Sequence, residues 1–116
     1  MDLVEIFFKE HSILCRTIRT TRNYWKYIIE VKHPESFKKI GFEKSAEIAR
    51  EVLRDPDVVI REKIDPNVYI YYRRYKRYFI CIVSKHLKED GYIITAYITD
   101  HLKKGERVYE KNKDLL

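Results

Sequence analysis

Glycine and cysteine are scarce in this chain, and each scarcity excludes a class of site. Glycine occurs only at Gly41, Gly91 and Gly105, so the chain has no glycine-rich loop of the kind that cradles nucleotide phosphates. Cys15 and Cys81 are the only cysteines, which leaves neither a disulfide framework nor a zinc-binding pattern. Both lie in apolar runs, which predicts two buried thiols.

Long apolar runs are also missing. No segment approaches the roughly 20 apolar residues that span a bilayer. The first residues, Met-Asp-Leu-Val-Glu, include acidic side chains and lack the basic segment that opens a signal peptide. We therefore expect a cytoplasmic protein that makes no membrane contact. Hydrophobic residues make up 45% of the 116 residues, enough for the core of a single domain over residues 1–116.

Positive charge is in excess. Lys and Arg number 24 against 18 Asp and Glu, which gives a formal net charge of +6 at pH 7. A basic domain of this kind favours an anionic partner, either RNA or an acidic protein.

The strongest structural pattern lies in the second half of the chain. Three runs rich in Tyr, Ile, Phe, Val and Thr predict strands, at Asn67–Arg74, Tyr78–His86 and Tyr92–Thr99. The breaks between them are short, and the second contains the Asp90-Gly91 pair, which suits a tight turn. Short breaks join antiparallel neighbours, so we predict a three-stranded meander.

The remaining segments predict further strands and two helices. Strands are expected at Leu3–Lys9 and Ile13–Thr20, joined as a hairpin across His11-Ser12, at Val58–Lys63 and at Arg107–Tyr109. One helix begins after an N-cap at Thr20 or Thr21 and ends before Pro34, and the other covers Phe42–Arg54. The predicted fold class is therefore α+β: a twisted antiparallel sheet with two helices on one face.

The sequence contains residue types that can cleave RNA without a metal, and it lacks the motifs of several other enzyme classes. The sequence has no carboxylate cluster for a metal and no nucleophile elbow, so we expect neither a metal nor a cofactor. Cleavage of RNA without a metal needs a base for the 2′-OH, cations for the phosphate and an acid for the leaving oxygen. His, Lys, Arg and Tyr side chains can fill these roles.

Strand alternation suggests which of these side chains share a face. Thr95 and Tyr97 should point to one side together with Ile93. By the same rule Lys85 should share a face with Val83 and Cys81, and Tyr72 should point away from Tyr71 and Arg73. Alternation does not say which face is exposed.

Several spaced motifs resemble one family of nucleases. They are Thr21-x3-Trp25-x2-Ile28-Ile29-x3-His33-Pro34-Glu35, Leu53-x-Asp55-Pro56-Asp57, Tyr71-Tyr72-Arg73, Cys81-x3-Lys85 and the strand Gly91–Asp100. Together they resemble the phage-type Barnase–EndoU–colicin–RelE-like nuclease domains, over roughly residues 13 to 109. Ser84 departs from that family's pattern, because it interrupts the apolar run before Lys85.

The resemblance implies a RelE-like fold and a metal-independent ribonuclease, often in toxin or phage-conflict settings. Matched residue by residue, it implies His33 as acid or base and Thr95 and Tyr97 as the polar pair of the last core strand. Lys85 would act beside them in catalysis. Arg61, Tyr72 and Arg73 would contact the RNA phosphate or base. An acidic antitoxin or immunity protein would be a second expected partner.

Each candidate also has a purely structural interpretation. His33 can serve as a helix cap, and Arg61 and Lys85 as solvated strand ends. The basic run Arg73–Arg77 can be an exposed hairpin tip, although its tyrosines would allow base stacking. A non-catalytic RNA-binding or protein-interaction module on the same fold therefore stays open.

Overall fold

The computed structural model describes residues 5–112 and has an α+β fold built on one seven-stranded sheet. The strands are β1 (Ile6–His11), β2 (Thr17–Thr21), β3 (Val58–Arg61), β4 (Val68–Tyr75), β5 (Tyr78–His86), β6 (Asp90–Thr99) and β7 (Glu106–Glu110). The helical segments are α1 (Arg22–Tyr27), a π-helical turn that continues it (Ile28–Lys32), α2 (Pro34–Phe37) and α3 (Phe42–Arg54). Within residues 5–112, no helix is both long enough and apolar enough to cross a membrane.

The sheet has the strand order β1-β2-β6-β5-β4-β3-β7. The central β4-β5-β6 meander and the α+β class agree with the sequence prediction. The expectation of a purely antiparallel sheet was wrong, because β2 pairs with β6 in parallel. These two strands are separated in sequence by the helices and by β3 to β5, so no tight turn fixes their relative direction.

The hairpin at the start of the sheet has a longer turn than the sequence predicted. Ser12 closes it, since its backbone N–H donates to the Arg16 carbonyl at 2.8 Å and its hydroxyl accepts from the Arg16 N–H at 3.2 Å. Cys15 occupies the left-handed region, with φ of 63°, and is exposed. The predicted strand start at Ile13 and the predicted burial of Cys15 were therefore wrong. Cys81 is fully buried, as predicted.

The bounds of the two hairpin strands also differ from the prediction. The first strand was expected from Leu3, which lies outside the described residues, and it continues to His11 rather than ending at Lys9. Its partner begins only at Thr17. Residues 12–16 form the turn between the two strands. Their apolar and polar side chains alternate as in a strand, but these residues are not part of the strand pairing.

The first helical region begins as the sequence predicted and ends differently. Thr21 is the N-cap, and its hydroxyl accepts from the Tyr24 N–H at 3.1 Å. The region closes with a π-helical turn, in which the His33 N–H donates to the Ile28 carbonyl at 2.8 Å. Pro34 then opens the short α2 rather than only stopping a helix, since its missing N–H and fixed φ suit a first helical position.

Two apolar clusters cover the two faces of the sheet. One face, here the helix face, packs against side chains from all the helical segments, including the fully buried Trp25. The other, here the open face, carries a second cluster formed only by strand and loop residues: Val58, Ile60, Val68, Ile70, Tyr72, Cys81 and Val83. The prediction that the helices occupy one face is confirmed.

A bulge in β6 changes the alternation that the sequence suggested. The cross-strand pairs on either side of it are Val83 with Thr95 and Ser84 with Ile93. Ile94 is therefore an extra residue without a partner on β5. Ile93 belongs to the core of the helix face and Tyr97 packs on the open face. The prediction that Ile93 shares a face with Tyr97 was wrong, because alternation assumes an unbroken ladder.

The second half of β6 has a free edge that the first helical region covers. β2 pairs with β6 only over residues 90–92. Beyond that point the Tyr24 hydroxyl donates to the Ile94 carbonyl at 2.5 Å, and the Ser36 hydroxyl accepts from the Ile98 N–H at 3.0 Å. Side-chain bonds thus replace strand pairing along this edge. They also fix the helical residues between them, including His33, beside β6.

Candidate functional site

His33 and Tyr97 meet at this edge of the open face. The ring centroids lie 5.2 Å apart with an interplanar angle of 37°. The His33 side chain is 26% exposed, so one edge of the ring remains accessible to solvent. His33 occupies the junction between the π-helical turn and α2, and π-helical turns are frequent at functional sites. The pair is a candidate acid–base centre.

Glu35 contacts the imidazole through one ring nitrogen. The His33 Nδ1 lies 3.3 Å from the Glu35 Oε1. Hydrogen bonds from its own backbone and from His33 lower the pKa of Glu35, which keeps the carboxylate ionised. A carboxylate on one ring nitrogen orients the imidazole and leaves Nε2 for a substrate.

Tyr97 is a hydrogen-bond donor at neutral pH and not a base. Burial raises its pKa above that of a free tyrosine, so the phenol keeps its proton. Thr95 lies two residues before it, and its hydroxyl is buried without a hydrogen-bond partner among the described residues. A buried, unpaired hydroxyl is unusual, but this oxygen has less than 1 Å² of exposed area and does not face a ligand in this structure.

Lys85 lies on the same face, as alternation along β5 predicted. It pairs across the sheet with Val68 of the open-face cluster and forms an ion pair with Asp65. The hydrogen bond between them raises the pKa of Lys85 and lowers that of Asp65. Lys85 is therefore a fixed cation rather than a candidate base.

The two predicted arginines lie away from this centre. Arg61 pairs with Tyr69, which packs on the helix face, and its Nη2 contacts the Glu106 carboxylate at 2.8 Å. Arg73 donates to the carbonyl and carboxylate of Asp55 at 2.7 and 3.0 Å, at the end of α3. The structure does not bring either arginine to the histidine.

Tyr72 is on the open face but is buried. Only 1% of it is exposed, and its hydroxyl accepts from the Lys103 N–H at 3.1 Å. It faces away from Tyr71, as alternation predicted. This hydrogen bond holds the loop that follows β6, which indicates a structural role for Tyr72.

Three further residues line a groove that the sequence did not single out. The groove has a volume of about 620 Å³ and contains Arg19 of β2, Tyr24 of α1 and Tyr92 of β6, together with Lys85. The only sequence signal for it was the alternation of basic residues and threonine along β2. Their convergence depends on the parallel pairing of β2 with β6.

A basic cleft runs from Glu35 toward the β4–β5 hairpin. It has a volume of about 700 Å³, and its lining includes Lys38, Lys39, Lys76 and Tyr78. No carboxylate among residues 5–112 forms an ion pair with any of these three lysines. The Glu35 and Asp100 carboxylates also line the cleft, so the three lysines leave a small excess of positive charge near the histidine.

Metal-ligand geometry is not found in the described part of the chain. Within residues 5–112, no three His, Cys, Asp or Glu side chains come together as a possible metal site.

Comparison with known proteins gives no relative. No family model, no curated protein and no solved structure matches this chain.

Proposed function

We propose that this protein is a metal-independent ribonuclease, toxin-like and of the Barnase–EndoU–colicin–RelE-like kind, with its acid–base centre at His33 and Tyr97. The observation that carries the proposal is the contact between these two rings on the open face, with the Glu35 Oε1 3.3 Å from the His33 Nδ1. An oriented imidazole beside a protonated phenol is a base and acid pair.

The proposed reaction is an internal transfer at phosphorus. The Nε2 of His33 takes the proton from a ribose 2′-OH, and the 2′ oxygen forms a bond to the adjacent phosphorus. The bond from phosphorus to the 5′ oxygen breaks, and Tyr97 donates a proton to that leaving oxygen. The products are a 2′,3′-cyclic phosphate and a 5′-OH. Solvent then returns the protons to their starting positions.

Charge near the centre supports RNA as the substrate. The basic cleft reaches Glu35, and its lysines have no ion-pair partner in the described part of the chain. A single strand laid along the cleft would bring its phosphates to these cations and its backbone to His33. Lys85 lies on the same face, in the groove beside Tyr92, and would contact a phosphate at another position along the RNA.

A chelator experiment tests the proposal directly. The protein is incubated with end-labelled single-stranded RNA in excess EDTA, and with the same sequence as DNA. We expect cleavage of the RNA only, with 2′,3′-cyclic phosphate ends and an unchanged rate in EDTA. Cleavage that is lost in EDTA and restored by magnesium, or equal cleavage of DNA, contradicts the mechanism.

A non-catalytic RNA-binding module is the second candidate function. The observation that favours it is the distribution of unpaired cations, which lie in the basic cleft, while Lys85, named as a catalytic residue, is ion-paired with Asp65. A binding module would bind RNA with the same salt dependence but leave every phosphodiester intact after long incubation.

A further inference from the structure

We infer that the groove containing Arg19, Tyr92 and Lys85 binds one nucleotide of single-stranded RNA, with its base against tyrosine and its phosphate beside a cation. The inference rests on the proposed function and adds a second substrate contact to it, away from the acid–base centre.

Strand register places these three side chains in one row. Tyr92 pairs with Arg19 on the β2 side and with Lys85 on the β5 side. Neighbouring strands lie about 4.8 Å apart, so the two cations flank the tyrosine on adjacent strands. An aromatic ring between two cations suits a nucleotide, which joins a planar base to an anionic phosphate.

Ion pairs hold both cations in position before any ligand binds. The Arg19 Nη1 donates to the Asp90 carboxylate at 2.5 Å and to the Gly91 carbonyl at 3.1 Å. Lys85 is held by Asp65 in the same way. The head groups are therefore fixed at the two sides of the groove, which lowers the entropy lost when a phosphate binds.

Aromatic, apolar and polar side chains form the rest of the groove, and the polar ones are Thr20, Thr21 and the Asp65 carboxylate that pairs with Lys85. Tyr92 is 41% exposed and Tyr24 is 37% exposed, and both line it. The hydrogen bond from the Tyr24 hydroxyl to Ile94 fixes that ring. Ile6 and Val68 add apolar surface. A volume of about 620 Å³ lies within the usual range for small-ligand pockets, roughly 300–1,000 Å³.

The groove and the acid–base centre would contact different nucleotides of one RNA strand. Tyr92 and Tyr97 pair with Lys85 and Cys81, which are four residues apart on the regular strand β5. That separation corresponds to about 13 Å at roughly 3.3 Å per residue. The nucleotide in the groove is therefore not the one that is cleaved. Its contacts set affinity and the site of cutting rather than the chemistry.

Binding measurements on an inactive background separate the groove from the reaction. The His33→Ala chain, with and without Tyr92→Leu, is titrated with a fluorescent single-stranded RNA of eight nucleotides. Loss of a stacked base should weaken binding by about 5- to 100-fold. Tyr27→Leu is the matched control, because Tyr27 is 47% exposed on α1 and does not line the groove. Equal affinity for the Tyr92 and Tyr27 variants would overturn the inference.

A second variant tests the phosphate contact. Arg19→Met on the same background removes the charge and keeps most of the side-chain length. The slope of log affinity against log salt should fall by about 0.7, the value for one phosphate contact on a single strand. An unchanged slope would also overturn the inference.

The two proposals can fail independently. If the parent chain leaves RNA intact while the groove variants weaken binding, the ribonuclease proposal fails and the groove stands. If RNA is cleaved but Tyr92→Leu and Arg19→Met bind and cut like their parents, the groove proposal fails.

Discussion

At the scale of single residues, two histidines of this chain have opposite surroundings. His33 is partly exposed and contacts a carboxylate and a phenol. His86 is 6% exposed, stacks on Tyr69 at 3.8 Å and lies 3.0 Å from the Tyr71 hydroxyl. The first environment suits proton transfer with solvent, and the second suits a neutral structural group.

Replacing His33 should separate activity from stability. A group that transfers a proton contributes typically about 10²–10⁴-fold, so His33→Ala should slow RNA cleavage by that factor. The melting temperature should change by a few degrees at most, because a surface substitution usually costs under about 0.5 kcal/mol. Cleavage rates and thermal melts measure both effects.

His101→Ala is the matched control for that experiment. His101 also contacts a neighbouring carboxylate, with its Nδ1 2.8 Å from Asp100, but it is exposed and does not contact Tyr97. Its replacement should leave cleavage unchanged. Equal losses in the two variants, or unfolding of His33→Ala, would show that His33 acts structurally.

His86 should make the fold less stable in mild acid. Burial lowers its pKa from 6.5 to about 4, and the nearby Arg16 adds to this shift. Between these values the unfolded chain binds more protons than the folded one, so the free energy of unfolding falls as the pH drops from about 6.5 to 4. The full loss is about 3 kcal/mol.

Denaturant melts at several pH values check this behaviour. His86→Phe keeps a ring beside Tyr69 and removes the titrating group, so its stability should depend less on pH in this window. If the slopes of the parent and the variant agree between pH 4 and 6.5, His86 does not carry the effect.

At the scale of secondary-structure elements, the turn of the β4–β5 hairpin contains a residue in an unfavourable backbone conformation. Tyr75 pairs with Tyr78, which leaves Lys76 and Arg77 as the two-residue loop. Lys76 adopts φ of 57°, in the left-handed region that favours glycine. Backbone strain of this kind is often found at functional sites, so we expect the charge of Lys76 at the mouth of the basic cleft to take part in RNA binding.

Lys76→Gly should raise stability and weaken RNA binding together. Removing the left-handed strain should stabilise the fold by about 1 kcal/mol, and removing the cation should reduce the affinity for RNA. Arg77→Gly is the matched control, because Arg77 is not at positive φ and the added flexibility should destabilise the hairpin. Thermal melts and RNA titrations of both variants test the pair. Equal affinity of the parent and Lys76→Gly would mean that the tip is only a solvated turn.

At the scale of the whole molecule, the net charge of +6 matters through its distribution. Arg19, Arg61, Arg73 and Lys85 are all in ion pairs. The lysines of the basic cleft are not, within the described part of the chain, so the long-range attraction for RNA should be strongest there, and the paired cations should act only through short-range contacts.

Removing the lysine charges of the basic cleft should lower the salt dependence of RNA binding more than removing the same number of lysine charges elsewhere on the surface. The triple variant with Gln at Lys38, Lys39 and Lys76 lowers the net charge by three and should reduce the salt slope by about 2.

The matched control also removes three exposed lysines that do not line the cleft, by changing Lys9, Lys63 and Lys104 to Gln. Titrations at several salt concentrations compare the two proteins. If their slopes agree, RNA responds to total charge and has no defined path on this surface.

Local sequence determined the elements of this protein. The Thr21 cap, α3 over Phe42–Arg54 and the meander strands were predictable, because capping, periodicity and short turns depend on residues close in sequence. Alternation also placed Lys85 with Val83 correctly, since β5 is regular against β4.

Only the tertiary structure decided how these elements form a site. His33 and Tyr97 were named from the sequence, and the covered edge of β6 brings them into contact. Arg61 and Arg73 were named as well, but the sheet puts them away from that contact.

The bulge at Ile94 and the parallel pairing of β2 with β6 had no local signal. Both are set by packing between segments far apart in sequence, whose free energy no short window of residues contains. The groove around Tyr92 exists because of that pairing, and so it became visible only in the folded chain.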